Sequence, residues 1–170
     1  MDVARLFAEH HASLFRYLAR LTGDSDAAAD AAQEAFVRMV ERPPAPGETR
    51  AWLFRVGTNA ALESARTRTR RGRLLEARPG RAPMGDAPPT PDEALDRAER
   101  RRAVQAALGT LPERDRRILL MREEGFSHRE IAEAVGTTTG SVGTMIARAL
   151  DRLAAGLPLG QVDDAADIAR

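Results

Sequence analysis

Five arginines fall within eight residues, at Arg66, Arg68, Arg70, Arg71 and Arg73, interleaved with the hydroxyls of Thr67 and Thr69. That mixture suits phosphate oxygens, because each guanidinium offers a rigid fork of N–H donors and a permanent charge. A basic helix end also stabilises the helix dipole, but one or two cations serve that purpose. A second constellation, Asp30, Gln33, Glu34 and Arg38, recurs at threes and fours and therefore shares one side of a helix. It can meet a basic or amide-rich partner, with a merely solvated polar face as the plainer alternative. A third stretch, GTTTGSVGTMIARAL at residues 136–150, sets out hydroxyls and glycines with Arg148 as its single basic residue.

No residues converge on catalysis. Of His10, His11 and His128, the first two are adjacent and point to different sides of a helix, and no HExxH, GxSxG, Walker or EF-hand spacing occurs. Asp163, Asp164 and Asp167 lack the turn glycine and further oxygen ligands of a cation loop. No catalytic residue, metal or cofactor is therefore expected. The 170 residues contain no cysteine, which excludes disulfides, thiolate nucleophiles and Cys-type zinc sites. The start MDVARLFAEHHASLF is interrupted by charge, so neither a secretory signal nor a membrane span is expected, and a cytoplasmic setting follows.

With 43% apolar residues, 30% charged and only seven aromatics, the composition favours helices over sheets. Net charge is +1, too low for a protein that coats nucleic acid, but all 26 basic residues are Arg and they are unevenly spread. Residues 46–81 hold nine Arg against three acids, residues 1–45 five against seven, and residues 82–170 twelve against fifteen. The positive field is local, and it coincides with the arginine cluster.

Helical periodicity supplies the elements that position these groups. Val3, Leu6, Phe7, Leu14, Phe15, Leu18 and Leu21 predict an amphipathic helix over residues 2–22 ending at Gly23. A second follows Asp24 and Ser25, with Ala28, Ala32, Ala35, Phe36, Met39 and Val40 as its buried stripe, and breaks at Pro43, Pro44, Ala45, Pro46 and Gly47. Thr49 is placed to cap a third, carrying Trp52, Leu53, Val56, Ala60 and Leu62 and running into the arginine cluster. Between Gly72 and Pro91 lie five prolines, three glycines and almost no large apolar side chain, the composition of a linker.

Order is expected to resume with Thr90 as N-cap, Pro91 at the first helical position and Glu93 completing a capping box, in a helix stopped by Gly109. A helix from Leu111-Pro112 bears Ile118, Leu119 and Met121 and stops at Gly125; Ser127 and Glu130 box the start of HREIAEAV, which ends at Gly136. Thr138 is placed to cap the last helix. There Val142, Ile146, Ala149 and Leu153 face inward, while Thr139, Gly143, Thr144, Ala147, Arg148 and Asp151 face out. A capped short helix, a tight glycine turn and a longer helix make a helix-turn-helix, a pattern that an ordinary helical hairpin also satisfies. The fold class is therefore all-α, as two small helical domains: residues 1–73 and 91–155, joined by a Pro/Gly-rich flexible linker at 74–90 and followed by an acidic tail at 156–170.

Taken in order, DAAADAAQEAFVRMV, RAWLFRVGTNAALESAR, LPERDRRILLMREEGFSHREIAEAVG and GSVGTMIARALDRL resemble bacterial RNA polymerase sigma factors of the extracytoplasmic-function (ECF) type, across about residues 3–153. The resemblance implies sigma domains two and four, and a promoter-specificity subunit for core RNA polymerase. Asp30, Gln33 and Glu34 stand at the family's D-x-x-Q-E core, followed by Arg38, which implies docking on the clamp coiled coil of the β′ subunit, with the β subunit as a further contact. Asn59, Glu63 and Arg66 match its N-x-x-x-D-x-x-R pattern, with Glu for the usual Asp, and with Arg68, Arg70 and Arg71 they imply contacts to promoter DNA at the −10 element. Trp52 matches a family position and reads as core or as a base-stacking platform; Leu53 and Val56 share its side. The loop at residues 43–48 corresponds to one that holds a flipped promoter base in the family, here unusually rich in proline.

The last helix of many such proteins reads like GTVKSRLHRARKRL, whereas this one has Gly143 for the Lys and keeps only Arg148 and Arg152 among the basic positions. Contacts to the −35 element are then expected from Thr138, Thr139, Gly140, Ser141, Gly143, Thr144 and Arg148, through hydroxyls, close backbone approach and the free N–H groups of the helix start. The family's anti-sigma proteins wrap apolar grooves on both domains, so such a partner is a further expectation. Two alternatives remain at this point: a free-standing helix-turn-helix regulator, and a protein that keeps domain contacts but has lost DNA reading.

Overall fold

The computed structural model describes residues 2–45, 47–72 and 91–157, with the side chains at 68–72 and 91–97 outside the description. Thr90, the linker at 74–90 and the tail beyond residue 157 also lie outside it. The described residues form seven α-helices and no strand: α1 (Val3–Thr22), α2 (Ser25–Glu41), α3 (Thr49–Gly72), α4 (Pro91–Thr110), α5 (Glu113–Glu123), α6 (His128–Val135) and α7 (Thr139–Gly156). The chain divides into two compact units, Met1–Pro83 and Met84–Arg170. No helix among the described residues is long and apolar enough to cross a membrane.

In the first unit α1, α2 and α3 pack against one another in all three pairings. Local chemistry sets their limits. The Asp2 carboxylate accepts from the Arg5 N–H at 3.0 Å, and that of Asp24 accepts from the N–H groups of Asp26 and Ala27, so both helix starts are capped. Between them Gly23 closes α1 in the left-handed conformation, φ 71°. The stripe that α2 buries is Ala27, Ala28, Ala31, Ala32 and Ala35, with Phe36 and Met39. Methyl-sized side chains let three backbones approach closely.

The core face of α3 differs from the expected one. Leu53, Phe54, Gly57, Thr58 and Ala61 are buried, whereas Trp52, Val56, Ala60 and Leu62 are only half-buried. Two small residues explain the shift. A Cβ on Gly57 would lie 3.2 Å from the Leu18 Cδ1 and 3.3 Å from the Leu14 Cδ1, so the bare Cα admits two leucines of α1. Thr58 is tolerated because its hydroxyl donates to the Phe54 carbonyl at 2.6 Å and accepts from the Tyr17 hydroxyl at 3.0 Å. Thr49 is itself the first helical residue and not the cap; the Glu48 carbonyl accepts from the Trp52 N–H one turn on.

The second unit packs α7 against α4, α5 and α6 around Ile118, Leu119, Met121, Phe126, Ile131, Val142 and Leu153. The expected capping box is present: the Ser127 N–H donates to the Glu130 carboxylate at 2.8 Å and the Glu130 N–H to the Ser127 hydroxyl at 3.3 Å. Gly136, φ 68°, ends α6 and turns the chain toward α7. Helix α4 runs one residue past Gly109, and Pro112 stands at the N-cap of α5.

Overpacking a core commonly costs about 1–3 kcal/mol. Replacing Gly57 by Val should lower the unfolding free energy of the first unit by that amount, measured by urea denaturation. An unchanged midpoint would mean that Leu14 and Leu18 have room to withdraw.

Candidate functional site

Each element buries one face and leaves another for partners. On the outer side of α2, Asp30, Gln33 and Arg38 are exposed and Glu34 half-exposed. The Arg38 Nε donates to the Glu34 carboxylate at 2.7 Å, one turn apart. An exposed pair of this kind is worth only about 0.3–0.5 kcal/mol, so both groups are available for exchange with a partner at little cost.

One expectation fails here. Val40 was placed on the buried stripe opposite the polar row, yet it is 54% exposed, and Val37, Phe7 and Val3 are 45%, 45% and 37% exposed. The alanine stripe with Phe36 and Met39 already fills the contact with α1 and α3, so Val37 and Val40 turn outward. With His11 and Phe36 they line an open groove of about 420 Å³, and Gln33 of the polar row forms part of its wall. Phe7 is held there by stacking on His11 at 4.3 Å and by Phe36 at 4.9 Å. The polar row thus borders an apolar groove rather than opposing a core. Val37 and Val40 join the candidate surface, and the signal for them was present: α2 carries more apolar residues than one helical face can bury.

On α3, Asn59, Glu63 and Arg66 are all exposed and follow at i, i+4 and i+7, opposite the buried stripe. Arg55, also exposed, extends that line by one turn toward the helix start and was not among the expected residues. The same period of four would have found it. Arg68, Arg70 and Arg71 continue the α3 backbone, with side chains outside the description; Arg73 lies beyond the described residues. Trp52 is half-buried, and in the preceding loop the Glu48 N–H closes a turn on the Ala45 carbonyl at 3.1 Å.

On α7, Thr139, Gly140, Ser141, Gly143, Thr144, Ala147, Arg148 and Asp151 are exposed, and Val142, Ala149 and Leu153 are buried, with Ile146 half-buried. Thr138 occupies the N-cap but makes no capping bond: its hydroxyl pairs with the Ser141 hydroxyl at 2.8 Å. The surface above the two glycines is open. A Cβ on Gly140 would meet nothing within 4 Å, and one on Gly143 only the His128 ring at 3.8 Å. Arg152, the other basic residue that remains on the last helix, is bonded to the Asp115 carboxylate on α5. Arg148 is left as the cation on the outward face.

Residues 6–71 match the family model of sigma-70 region 2, and residues 101–153 that of sigma-70 region 4. The chain is 33% identical over 155 residues to the ECF RNA polymerase sigma factor SigE of Mycolicibacterium smegmatis, covering 87% of this chain and 58% of the relative. It is 32% identical over 142 residues to the ECF sigma factor SigL of Mycobacterium tuberculosis, covering 81% and 78%. The chain belongs to the ECF RNA polymerase sigma factors. Its fold is that of the sigma factor RpoE solved with the anti-sigma factor NepR from Bartonella quintana, with a TM-score of 0.72 at 20% identity over 94% of this chain and 98% of the other. CnrH, solved with the cytosolic domain of CnrY, gives 0.63 at 24% identity over 90% and 85%.

A sigma factor acts in transcription initiation, and a free-standing helix-turn-helix regulator would leave the region 2 match over residues 6–71 without a use. Helix α7 closes the stretch that matches sigma-70 region 4. Each phosphate neutralised steepens the fall of log K with log salt by about 0.9. Gly143→Lys, which fills open space, should tighten binding of the chain to duplex DNA and steepen its salt dependence by about that amount. An unaltered slope in a fluorescence-anisotropy titration would place Gly143 away from the phosphates.

Proposed function

We propose that this sigma factor directs core RNA polymerase to promoters, its first unit serving as sigma domain two and its second as sigma domain four. The observation that carries the reading is the division of outward faces. One apolar-and-polar face lies on α2, one polar line on α3 and one face of short polar side chains with a single cation on α7, each backed by a separate buried stripe.

Asp30, Gln33, Glu34 and Arg38, with Val37 and Val40 beside them, bind the clamp coiled coil of the β′ subunit. An apolar groove rimmed by charge suits a helical partner, since burial supplies the energy and the rim sets the register. Asn59, Glu63 and Arg66 with Arg68, Arg70 and Arg71 face the −10 element, where the arginines neutralise phosphates as the strands open. Thr138, Thr139, Gly140, Ser141, Gly143, Thr144 and Arg148 meet the −35 element by hydroxyl contacts and close backbone approach. The segment 74–90 joins the two units and runs through the polymerase, which adds contacts to the β subunit. The cytoplasm, where polymerase and promoters are, is the setting, and no cofactor is required. The same α2 groove is where an anti-sigma protein would compete with polymerase.

Nonspecific DNA binding by an isolated module is typically about 10⁻⁴–10⁻⁶ M, whereas a linked second site works at roughly millimolar effective concentration. The weakly charged α7 is therefore occupied when polymerase holds the chain beside DNA.

Two measurements test this. Val37→Asp with Val40→Asp alters only exposed side chains and should weaken capture of core polymerase by about tenfold, or 1.4 kcal/mol. Unchanged capture would remove the groove from the interface. In run-off transcription with core polymerase and mapped start sites, wild type should give discrete starts, while Arg66→Ala, Arg68→Ala and Arg70→Ala together should lower open-complex formation and flatten its salt dependence. Absence of any start site with the wild-type chain would overturn the reading.

A further inference from the structure

Asp115, Arg116 and Arg117 are consecutive residues of α5, and each reaches a different element. The Asp115 carboxylate, in a residue only 9% exposed, accepts from Arg152 in the fourth turn of α7. The Arg116 guanidinium donates to the Gly109 and Leu111 carbonyls at the end of α4, at 3.1 and 3.2 Å. Burial pushes its pKa down, and the Glu113 charge pulls it partly back. The Arg117 guanidinium donates at 3.0 Å to the Ala134 carbonyl, in the last turn of α6 just before the Gly136 turn. A helix places successive side chains about 100° apart, so this one short run sends charged groups in three directions. Two of the three grip the halves of the helix-turn-helix, one on either side of its turn.

These ties matter more in this chain than in one with a basic recognition helix. A Lys or Arg carries its charge on a long, adjustable stem and can find a phosphate from a range of helix orientations. A Ser or Thr hydroxyl ends one bond beyond Cβ, and a glycine contributes only backbone. On the outward face of α7 the groups offered to DNA are Thr139, Gly140, Ser141, Gly143 and Thr144, with Arg148 alone able to reach. Short contacts form only if the helix lies at the right depth and tilt.

We infer that Asp115 and Arg117 are positioning residues for −35 recognition: through Arg152 and the Ala134 carbonyl they fix α7 against α6, so that short polar side chains meet the groove. The inference rests on the promoter reading proposed above. Neither residue touches DNA. Arg152 likewise acts through the ion pair and not as a phosphate contact.

The test uses the full chain assembled with core polymerase. The readout is a ratio: affinity for a promoter with its −35 element intact over affinity for the same promoter with that element scrambled. Asp115→Asn, which keeps shape, combined with Arg152→Gln removes both charges, so no buried charge is left unpaired. Arg117→Met removes the donor to Ala134 but keeps the length of the side chain. Each should lower the ratio at least about fivefold, with capture of core polymerase and binding to a −10-only fork junction unchanged. Arg117→Lys, which can still donate to a carbonyl, should recover part of the loss. Thermal melting confirms folding of each variant; should Arg117→Met not fold, the neutral double variant decides. An unchanged ratio in folded variants, with wild type discriminating, overturns the positioning role. A wild-type ratio of one instead overturns the assignment of α7 to the −35 element.

Discussion

A helix that shows DNA one outward cation releases too few counterions to hold a duplex by itself. That constraint governs the rest of this sigma factor. If α7 contributes geometry more than charge, the holding force must come from elsewhere, and the chain has two sources for it. One is the arginine run that ends α3, where the local charge excess of residues 46–81 is concentrated. The other is the α2 groove, whose apolar walls gain from burial at any ionic strength. On the proposed reading, affinity and address reside on different helices.

In the first unit small residues of α2 and α3 are set against large ones, Leu14, Tyr17 and Leu18 of α1 and Leu53 and Phe54 of α3. Five buried alanines on α2 and Gly57 on α3 leave room for the leucines of α1 at the helix contacts. Val3, Phe7, Val37 and Val40 fall outside this packing and face outward. Phe7, Val37 and Val40 would be a liability on a monomer with no partner, since contiguous exposed apolar surface marks an interaction site or invites aggregation.

Much of this was legible in the sequence. All seven helices, the Ser127–Glu130 box and the Gly23 and Gly136 stops are local events, written by caps, periodicity and glycine, and the structure reproduces them. The exposed set on α7 follows from its period alone. What escaped was non-local. The α3 stripe was assigned to its large apolar residues, whereas the packed face runs through Gly57 and Thr58, a residue pair that reads as polar and breaker until Leu14, Leu18 and Tyr17 are set against it. Val40 was read as core because its spacing allowed it; the exclusion came from volume already filled by α1 and α3. The sequence also offers no sign that Arg152 is tied to Asp115, which stands 37 residues earlier in the chain. No periodicity reports such a pair.

The same division of labour bears on how salt acts on the two contacts. A screened phosphate contact weakens steeply as ionic strength rises, and the arginine end of α3 carries most of that dependence. Hydroxyl and backbone contacts are far less screened, so the α7 contribution changes little over the same range. Raising salt therefore erodes the grip faster than it erodes the reading, and the relative weight of −35 recognition grows as total affinity falls. A basic recognition helix would lose both together. On the proposed reading, the poverty of charge on α7 is compatible with discrimination because ties from α5 supply the placement and another part of the molecule supplies the force.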